Sequence, residues 1–468
     1  MNKKKDKLMN NALLFLLGSI GSKFIQFILV PLYTYALTKE EFGNVDLVIT
    51  TTNFLMPIFS LQLSDALLRF GMDKNLNKSD VYSSVFRILL IGSSISLFTI
   101  PISYTFDIFK DAILYFVIIL NLRIYRDILS IMLKVEDKNK IFSFDSILYT
   151  LVLCISSIIF LTVLKMGTFG YFLSYIISNL FSLIFIFVNL KVKLNLKRKD
   201  SKLQKKIILY SLPMIINSIS YWITTASDRY MINLFVNVAS VGLYAVACKI
   251  PSLISTFTGI FNQAWMISSI NEYENDNDVS FYNDIFKSYL CFSFVFSSLL
   301  IMLIKPFMSI YVSTDYFSSW ICSSILIASV SFSGLCTFIN GIFYAYKKNI
   351  SATVTTIIGA TINIILNFLF IPNSGIVGAS IATVISWFVI MIIRLHSVQK
   401  LLPLKVDYIE LFSLSFLMFL EIYLINMNFS YLFITLLFIL ILFIERKTIY
   451  ILMKNIMNKI SNIRKKVV

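Results

Sequence analysis

The 468-residue chain is 57% hydrophobic and 14% charged, whereas a typical soluble domain carries roughly 25% charged residues. Its 41 Lys and Arg outnumber 25 Asp and Glu, giving a formal charge of +16, and the mean hydropathy is +0.81. This composition excludes a soluble enzyme, a DNA-binding module and a secreted disulfide scaffold. The five cysteines (154, 248, 291, 322 and 336) lie in apolar runs without a CxxC pattern, and His396 is the single histidine. His-based metal sites and Ser–His or Cys–His catalysis are thereby removed.

A helix crosses a bilayer in about 20 apolar residues. In chain order, such runs occupy 9–36, 44–66, 81–104, 112–133, 141–164, 170–190, 207–234, 240–268, 286–304, 319–345, 350–371, 376–394, 408–427 and 430–445. The pattern predicts an all-α polytopic membrane protein with about fourteen transmembrane helices, or about twelve if the last two runs are not spans. The first run follows a lysine-rich start that resembles a signal peptide. It is too long for one and lacks a small-residue cleavage site, so it reads as a retained span.

Alternation of the loops tests the count. With the N-terminus inside, about 31 of the 41 basic residues fall in cytoplasmic loops and tails, and about four (Lys39, Lys110, Lys165 and Lys305) on the other side. Both termini are therefore expected in the cytoplasm. The acidic loop 271–278 dissents, but acidic residues weigh little in the rule. Beyond the last span, Ile449, Leu452, Met453, Ile456, Ile460 and Ile463 recur at helical spacing beside lysines and arginines. That spacing suits an amphipathic helix on an anionic leaflet, or equally an ordinary basic tail.

An internal repeat divides the chain. Gly167–Ser178 resembles Gly375–Ser386, 208 residues on, and both lead into an even-numbered span, the sixth and the twelfth. Lys138–Ile141 similarly matches Lys347–Ile350, and Gly43 and Gly242 each follow the first span of a half. Six spans separate the copies, so the repeat is parallel. The expected organisation is an N-terminal lobe (1–190), a basic linker (191–206), a C-terminal lobe (207–399), two appended spans (400–446) and a basic amphipathic tail (447–468). Two six-helix lobes in a parallel pseudo-repeat describe a transporter that opens to each side in turn.

Charges inside the spans mark candidate sites, because each costs at least about 2.5–3.5 kcal/mol at mid-bilayer unless it meets a cavity or a partner. Lys23 lies midway along the first span on a polar stripe with Ser19, Ser22 and Gln26. The second span carries Asp46, Thr50, Asn53, Pro57, Ser60 and Ser64, and ends at Asp65 and Arg69. Ser220, Thr224 and Asp228 share a face of the seventh, with Arg229 beside them. Lys249, Ser252, Thr256, Gly259 and Gln263 mark the eighth, Thr356, Asn363 and Asn367 the eleventh, and Arg123, Arg126 and Asp127 the fourth. Such stripes suit a water-filled cavity between lobes, or hydrogen bonding between helices. Lys23 and Lys249 have no acid one turn away and read as cavity cations, whereas Asp228 and Arg229 could form a structural pair. Asp145 reads as structural, and Glu421, on the appended spans, has no assignment. Cavity cations favour an anionic substrate, phosphate above all. With no Walker A sequence, ATP hydrolysis is not expected.

At these residues a family resemblance becomes specific. Leu37–Gly43 with Gln62–Arg69 resembles the first helical hairpin of the bacterial polysaccharide (O-antigen and capsule repeat-unit, Wzx-type) flippases. These belong to the MATE-like multidrug/oligosaccharidyl-lipid/polysaccharide exporter (MOP) superfamily. Leu212-Pro213, Ser227–Tyr230 and Val241–Tyr244 are similar to the family's seventh and eighth helices, and Asn363, Asn367 and Gly375–Ala379 to its eleventh-to-twelfth region. The resemblance implies a two-lobe, V-shaped fold. It also implies a substrate, an oligosaccharide on undecaprenyl pyrophosphate, moved between leaflets of the cytoplasmic membrane by alternating access. On that reading Lys23, Lys249 and Arg126 meet the pyrophosphate, while Gln26, Asn53, Thr224, Gln263 and Asn363 meet sugar. Asp65 or Asp228, beside Arg69 and Arg229, would bind a coupling H+ or Na+. No cofactor, metal or nucleic acid is expected; the partners are membrane lipid, a polysaccharide polymerase and glycosyltransferases. The alternatives are a lipid II flippase and a MATE-type multidrug cation antiporter, the latter disfavoured by the cationic balance. A membrane polymerase or ligase would need a long, Arg-bearing outer loop, and the longest here, 305–318, carries only Lys305 and Asp315.

Overall fold

The computed structural model describes residues 2–73, 75–106, 109, 112–190, 200–275, 278–454 and 457. Its helices are α1 (Asn2–Ala36), α2 (Lys39–Phe59), α3 (Leu63–Gly71), α4 (Lys78–Ser96), α5 (Thr99–Phe106), α6 (Ile113–Val135), α7 (Asn139–Ser157) and α8 (Gly167–Leu190). They continue with α9 (Ser201–Phe235), α10 (Val238–Ala247), α11 (Lys249–Asn275), α12 (Val279–Tyr311), α13 (Ser319–Ala345), α14 (Asn349–Gln399), α15 (Tyr408–Asn426) and α16 (Tyr431–Ile444). Among the described residues there are no strands.

Every predicted span coincides with a helix, a bent pair of helices or one limb of α14, so the protein is an all-α polytopic membrane protein. Taken singly, seven helices among the described residues are long and apolar enough to cross a bilayer, and two bent pairs (α2 with α3, α10 with α11) pass together. The α2–α3 bend of 48° falls where Leu61 and Gln62 take left-handed backbone angles. At its start, α2 is fixed by a capping box. The Thr38 hydroxyl accepts from the Glu41 N–H at 3.2 Å, while the Glu41 carboxylate accepts from the Thr38 N–H at 2.8 Å.

The repeat read from sequence has a backbone counterpart. Gly167 and Gly375 take φ of 55° and 54°, which side-chain-bearing residues rarely adopt, and each lets the chain turn between consecutive membrane-length segments. The end of α6 and the end of α13 also close in the same way. Glu136 N–H bonds Met132 O and Lys138 N–H bonds Leu133 O; 210 residues on, Tyr346 bonds Ile342 and Lys348 bonds Phe343. Between them Asp137 and Lys347 take φ of 58° and 57°.

Two compact units make up the chain, Met1–Ala245 and Val246–Val468. In the first, α7 packs against α1 and α8, α8 against α6, and α9 against α2, α3 and α4. Gly43 and Gly242 face each other at a crossing of α2 and α10. A Cβ on either would come within 2.1 Å of the opposing backbone oxygen, of Val238 and Lys39 respectively. In the second unit α13 is the hub, packed by α11, α12, α14 and α15. Its most apolar window is 83% buried, against 28–44% for the other single spans. Its serines and glycines explain the close approach: the Trp265 indole donates to Phe338 O at 2.8 Å, over Gly341, where a Cβ would meet it at 2.6 Å.

The units divide later than the lobe boundary expected at 191–206. α9, expected to open the C-terminal lobe, instead packs within the first unit, through Trp222, Arg229 and Tyr230 on α2 and a Phe70–Tyr210 ring contact at 5.6 Å. Residues 191–199 of the expected linker lie outside the described residues. So does the expected tail helix beyond 454, apart from 457.

Candidate functional site

In the first unit four charged side chains of the spans meet in two ion-paired knots. At one, the Arg229 Nε of α9 donates to Asp46 Oδ2 of α2 at 2.6 Å, with both side chains under 15% exposed. Asp228, 2% exposed, turns away and accepts from the Tyr244 hydroxyl of α10 at 2.7 Å. Asp228 and Arg229, which could have formed a structural pair, each have a partner on another helix, Tyr244 and Asp46 respectively. Neighbouring residues on a helix point about 100° apart and do not face each other. Residues beside the second-span stripe also enter this α2–α9 seam. Trp222 Nε1 donates to Thr50 O at 3.1 Å, Thr51 and Tyr230 share a hydroxyl–hydroxyl bond, and Phe54 lies 4.3 Å from the Trp222 ring.

Arg126 forms the second knot. Its Nη2 meets Asp145 Oδ2 at 3.2 Å, its Nε donates to Ser182 Oγ at 2.6 Å, and its guanidinium lies 3.8 Å from the Tyr149 ring centroid. Ser182 closes the loop by donating to Asp145 Oδ1 at 2.6 Å. Expected as a cavity cation, Arg126 is instead committed to three side chains of α7 and α8. Asp145, 1% exposed, is structural as expected.

The first-span stripe divides. Ser22 turns into the bundle and donates to Ser146 O of α7 at 2.8 Å, whereas Lys23 is exposed on α1 beside Phe24, and Gln26 is half-buried. On α2 Asn53 is exposed. Asp65 and Arg69 are exposed on α3, with Gln62 Nε2 donating to Asp65 at 3.1 Å. In the second unit Lys249 begins α11, half-buried, just past the break at Cys248. The side chains of Ser19, Ser220, Thr224 and Gln263 lie outside the described ones.

Asn363 is 1% exposed, bonded to Thr383 at 3.5 Å and accepting from Asn367 at 3.0 Å. The eleventh-span stripe is thus internal glue for α14, whose two limbs fold together about Gly375. Arg394 belongs to the same ladder. Its guanidinium donates to Thr355 Oγ1 (2.9 Å), Cys336 O (3.0 Å), Ala352 O (3.1 Å) and Thr356 Oγ1 (2.8 Å), and the residue is 2% exposed. Arg394, the last residue of the apolar run 376–394, is a cation that sequence reasoning does not single out. A signal was present: Thr356 and Arg394 are equidistant from Gly375, so a hairpin there must bring them together.

The chain matches the polysaccharide biosynthesis protein family over residues 8–270. The probable low-salt glycan biosynthesis flippase Agl15 of Haloferax volcanii is 25% identical over 226 residues, 47% of this chain and 48% of that protein, so the match spans about half of that relative's length. An uncharacterized membrane protein of Methanocaldococcus jannaschii, MJ1375, is 24% identical over 84% of this chain and 98% of its own. Among solved structures, the lipid II flippase MurJ in an inward closed conformation superposes with a TM-score of 0.69 at 18% identity, covering 94% of this chain and 99% of that one. An inward-facing multidrug resistance MATE family transporter of the MOP superfamily gives 0.67 at 14% identity, covering 82% and 94%. With more than half of its length matched, the chain belongs to the polysaccharide biosynthesis protein family, and it shares its fold with the MurJ and MATE structures.

Proposed function

We propose that this protein is a flippase, not an enzyme. It carries undecaprenyl-pyrophosphate-linked oligosaccharide repeat units from the cytoplasmic to the outer leaflet of the cytoplasmic membrane, by alternating access, for O-antigen or capsule assembly. The observation that carries this reading is the family match over residues 8–270; the glycan-flippase name of the Haloferax relative supports it. The loop asymmetry orients the chain with both termini in the cytoplasm. Lys23, exposed on a membrane-length helix, and Lys249, at a helix break, supply the cationic contacts for pyrophosphate. Gln26 and Asn53 meet sugar, together with Thr224 and Gln263, and the polyprenyl tail stays in lipid. Arg126 is withdrawn from this role because its Nε and Nη2 are bonded to Ser182 and Asp145. A proton or sodium gradient drives the cycle through Asp65, and glycosyltransferases and a polymerase act before and after it.

The test is leaflet accessibility of the lipid-linked oligosaccharide in cells depleted of the protein. Accumulation in the inner leaflet is expected, and an unchanged distribution defeats the proposal. Lys23→Ala and Lys249→Ala should each lower translocation at least about tenfold, the loss of roughly one charge-assisted hydrogen bond, with expression unchanged. Normal translocation in either variant removes that lysine from the site.

A further inference from the structure

Glu421 is the acid for which the sequence offers no role. It lies on α15 about 20 Å along the axis from the first residue, wholly enclosed by the packing of α15 on α12, α13 and α16. One carboxylate oxygen, Oε2, accepts from the Ser298 hydroxyl of α12 at 2.6 Å. The other, Oε1, has no hydrogen-bond partner among the described residues. The adjoining surfaces of α12 and α13 carry a second neutral contact, Ser331 to Ser297 at 2.7 Å, and an aromatic cluster of Phe294, Phe332, Phe388 and Phe419.

The charges available to it can be enumerated. α13 and α16 contain no Asp, Glu, Lys or Arg, and the buried acid Glu445 stands directly beyond the end of α16. On α12 the cations are Lys305, about 10 Å beyond Ser298 along the axis, and Lys287, about 16 Å the other way. Lys305 is turned to Asn428 and lies over the Trp320 ring, and Asp284 lies beyond Lys287 toward the start of α12. On α15 itself the other acid is Glu410, three turns away. The titratable neutral groups of these helices are Tyr282, Tyr289, Cys291 and Tyr311 on α12, Cys322, Cys336 and Tyr344 on α13, Tyr408 and Tyr423 on α15, and Tyr431 on α16. An ionised Glu421 would therefore rest on one serine bond with no adjacent cation, inside protein at membrane depth. That is among the costliest placements of a charge. One carboxyl and a few hydroxyls also supply too few oxygens for a sodium or divalent ion.

We propose that Glu421 is a proton-binding site: one proton occupies Oε1, and the neutral acid is what allows α15 to close on α12 and α13. The step is a protonation alone, with a water-borne proton adding to the carboxylate and no other bond changing. Loss of that proton charges the seam and loosens α15 from it. Folding then takes up a proton that the unfolded chain releases, so stability falls as pH rises. The inference is independent of the transported substrate.

The test uses the purified full-length chain in lipid nanodiscs. Its infrared spectrum at neutral pH should contain a carboxylic acid C=O band that is lost in Glu421→Gln and shifted in Ser298→Ala. The melting temperature of the wild type should fall by about 4 °C or more between mildly acidic and alkaline buffer. Glu421→Gln, which imitates the protonated form, should lose most of that fall. A band that persists in Glu421→Gln, or a variant whose pH dependence matches the wild type, overturns the proposal. Should Glu421→Gln fail to fold, the Ser298→Ala band decides: an unshifted band overturns the assignment and a shifted one upholds it.

Discussion

The two units compensate buried charge in different ways. In the first, Arg126 meets Asp145 and Arg229 meets Asp46, so each cation is answered by an acid from another helix. In the second, Arg394 is surrounded by two threonine hydroxyls and two backbone carbonyls, and Glu421 by one serine. A salt bridge fixes which two helices meet, but each half depends on the other. A charge dispersed over neutral oxygens ties several segments together at once and leaves no opposite charge behind when it is removed. The contrast predicts opposite responses to neutralisation.

The largest effect belongs to Asp145→Ala. It leaves the Arg126 guanidinium without its acid in a seam where Asp145 is 1% exposed, and breaking a buried pair from one side costs about 3–5 kcal/mol. Arg126→Met in the same background should recover much of that loss, since removing both charges is close to neutral. Denaturant titration in detergent measures both. A double variant no more stable than Asp145→Ala would show that the pair is not what holds α6 against α7. Asp46→Ala should follow the same pattern with a smaller loss, about 1.5–3 kcal/mol.

Arg394 should reverse the order. Thr355 and Thr356 keep bonds to backbone oxygens of their own helix, and the carbonyls of Cys336 and Ala352 are helical, so deleting the cation strands little. Arg394→Met is expected within about 1 kcal/mol of the wild type, whereas Arg394→Lys should lose about 2 kcal/mol. The lysine keeps the charge, but its single ammonium cannot reproduce a fork that reaches four acceptors. If methionine were the more damaging replacement, the fork would be contributing more than the burial of its charge costs.

These contrasts also define what the sequence could disclose. The helices were legible because lipid demands long apolar runs, and the hinge at Gly375 because a short glycine-led motif recurs at Gly167. Mid-span charges were legible as a class, but their partners were not. Asp46 and Arg229 are 183 residues apart, Arg126 and Asp145 only 19, and neither spacing predicts which acid a given arginine meets. Where periodicity did constrain the answer, it spoke against the Asp228–Arg229 pair, because adjacent residues diverge around a helix. Lys23 and Ser22 diverge for the same reason, one exposed and the other bonded to α7.

The two hinge glycines offer the finest comparison between the units. Both hold a left-handed backbone angle, so Gly375→Ala should cost about 1–2 kcal/mol from backbone strain alone. Gly167→Ala incurs the same strain and one further effect. Its new Cβ would lie 2.8 Å from Glu41 Oε1, on the carboxylate that closes the capping box at the start of α2. Glu41 can swing aside, but only by releasing the Thr38 N–H, so the hinge variant should also loosen the cap, for about 0.5–1 kcal/mol more. In a Glu41→Ala background, where that bond is already gone, the two glycine substitutions should cost the same. Equal costs in the wild-type background would mean that the hinge before α8 and the start of α2 are independent.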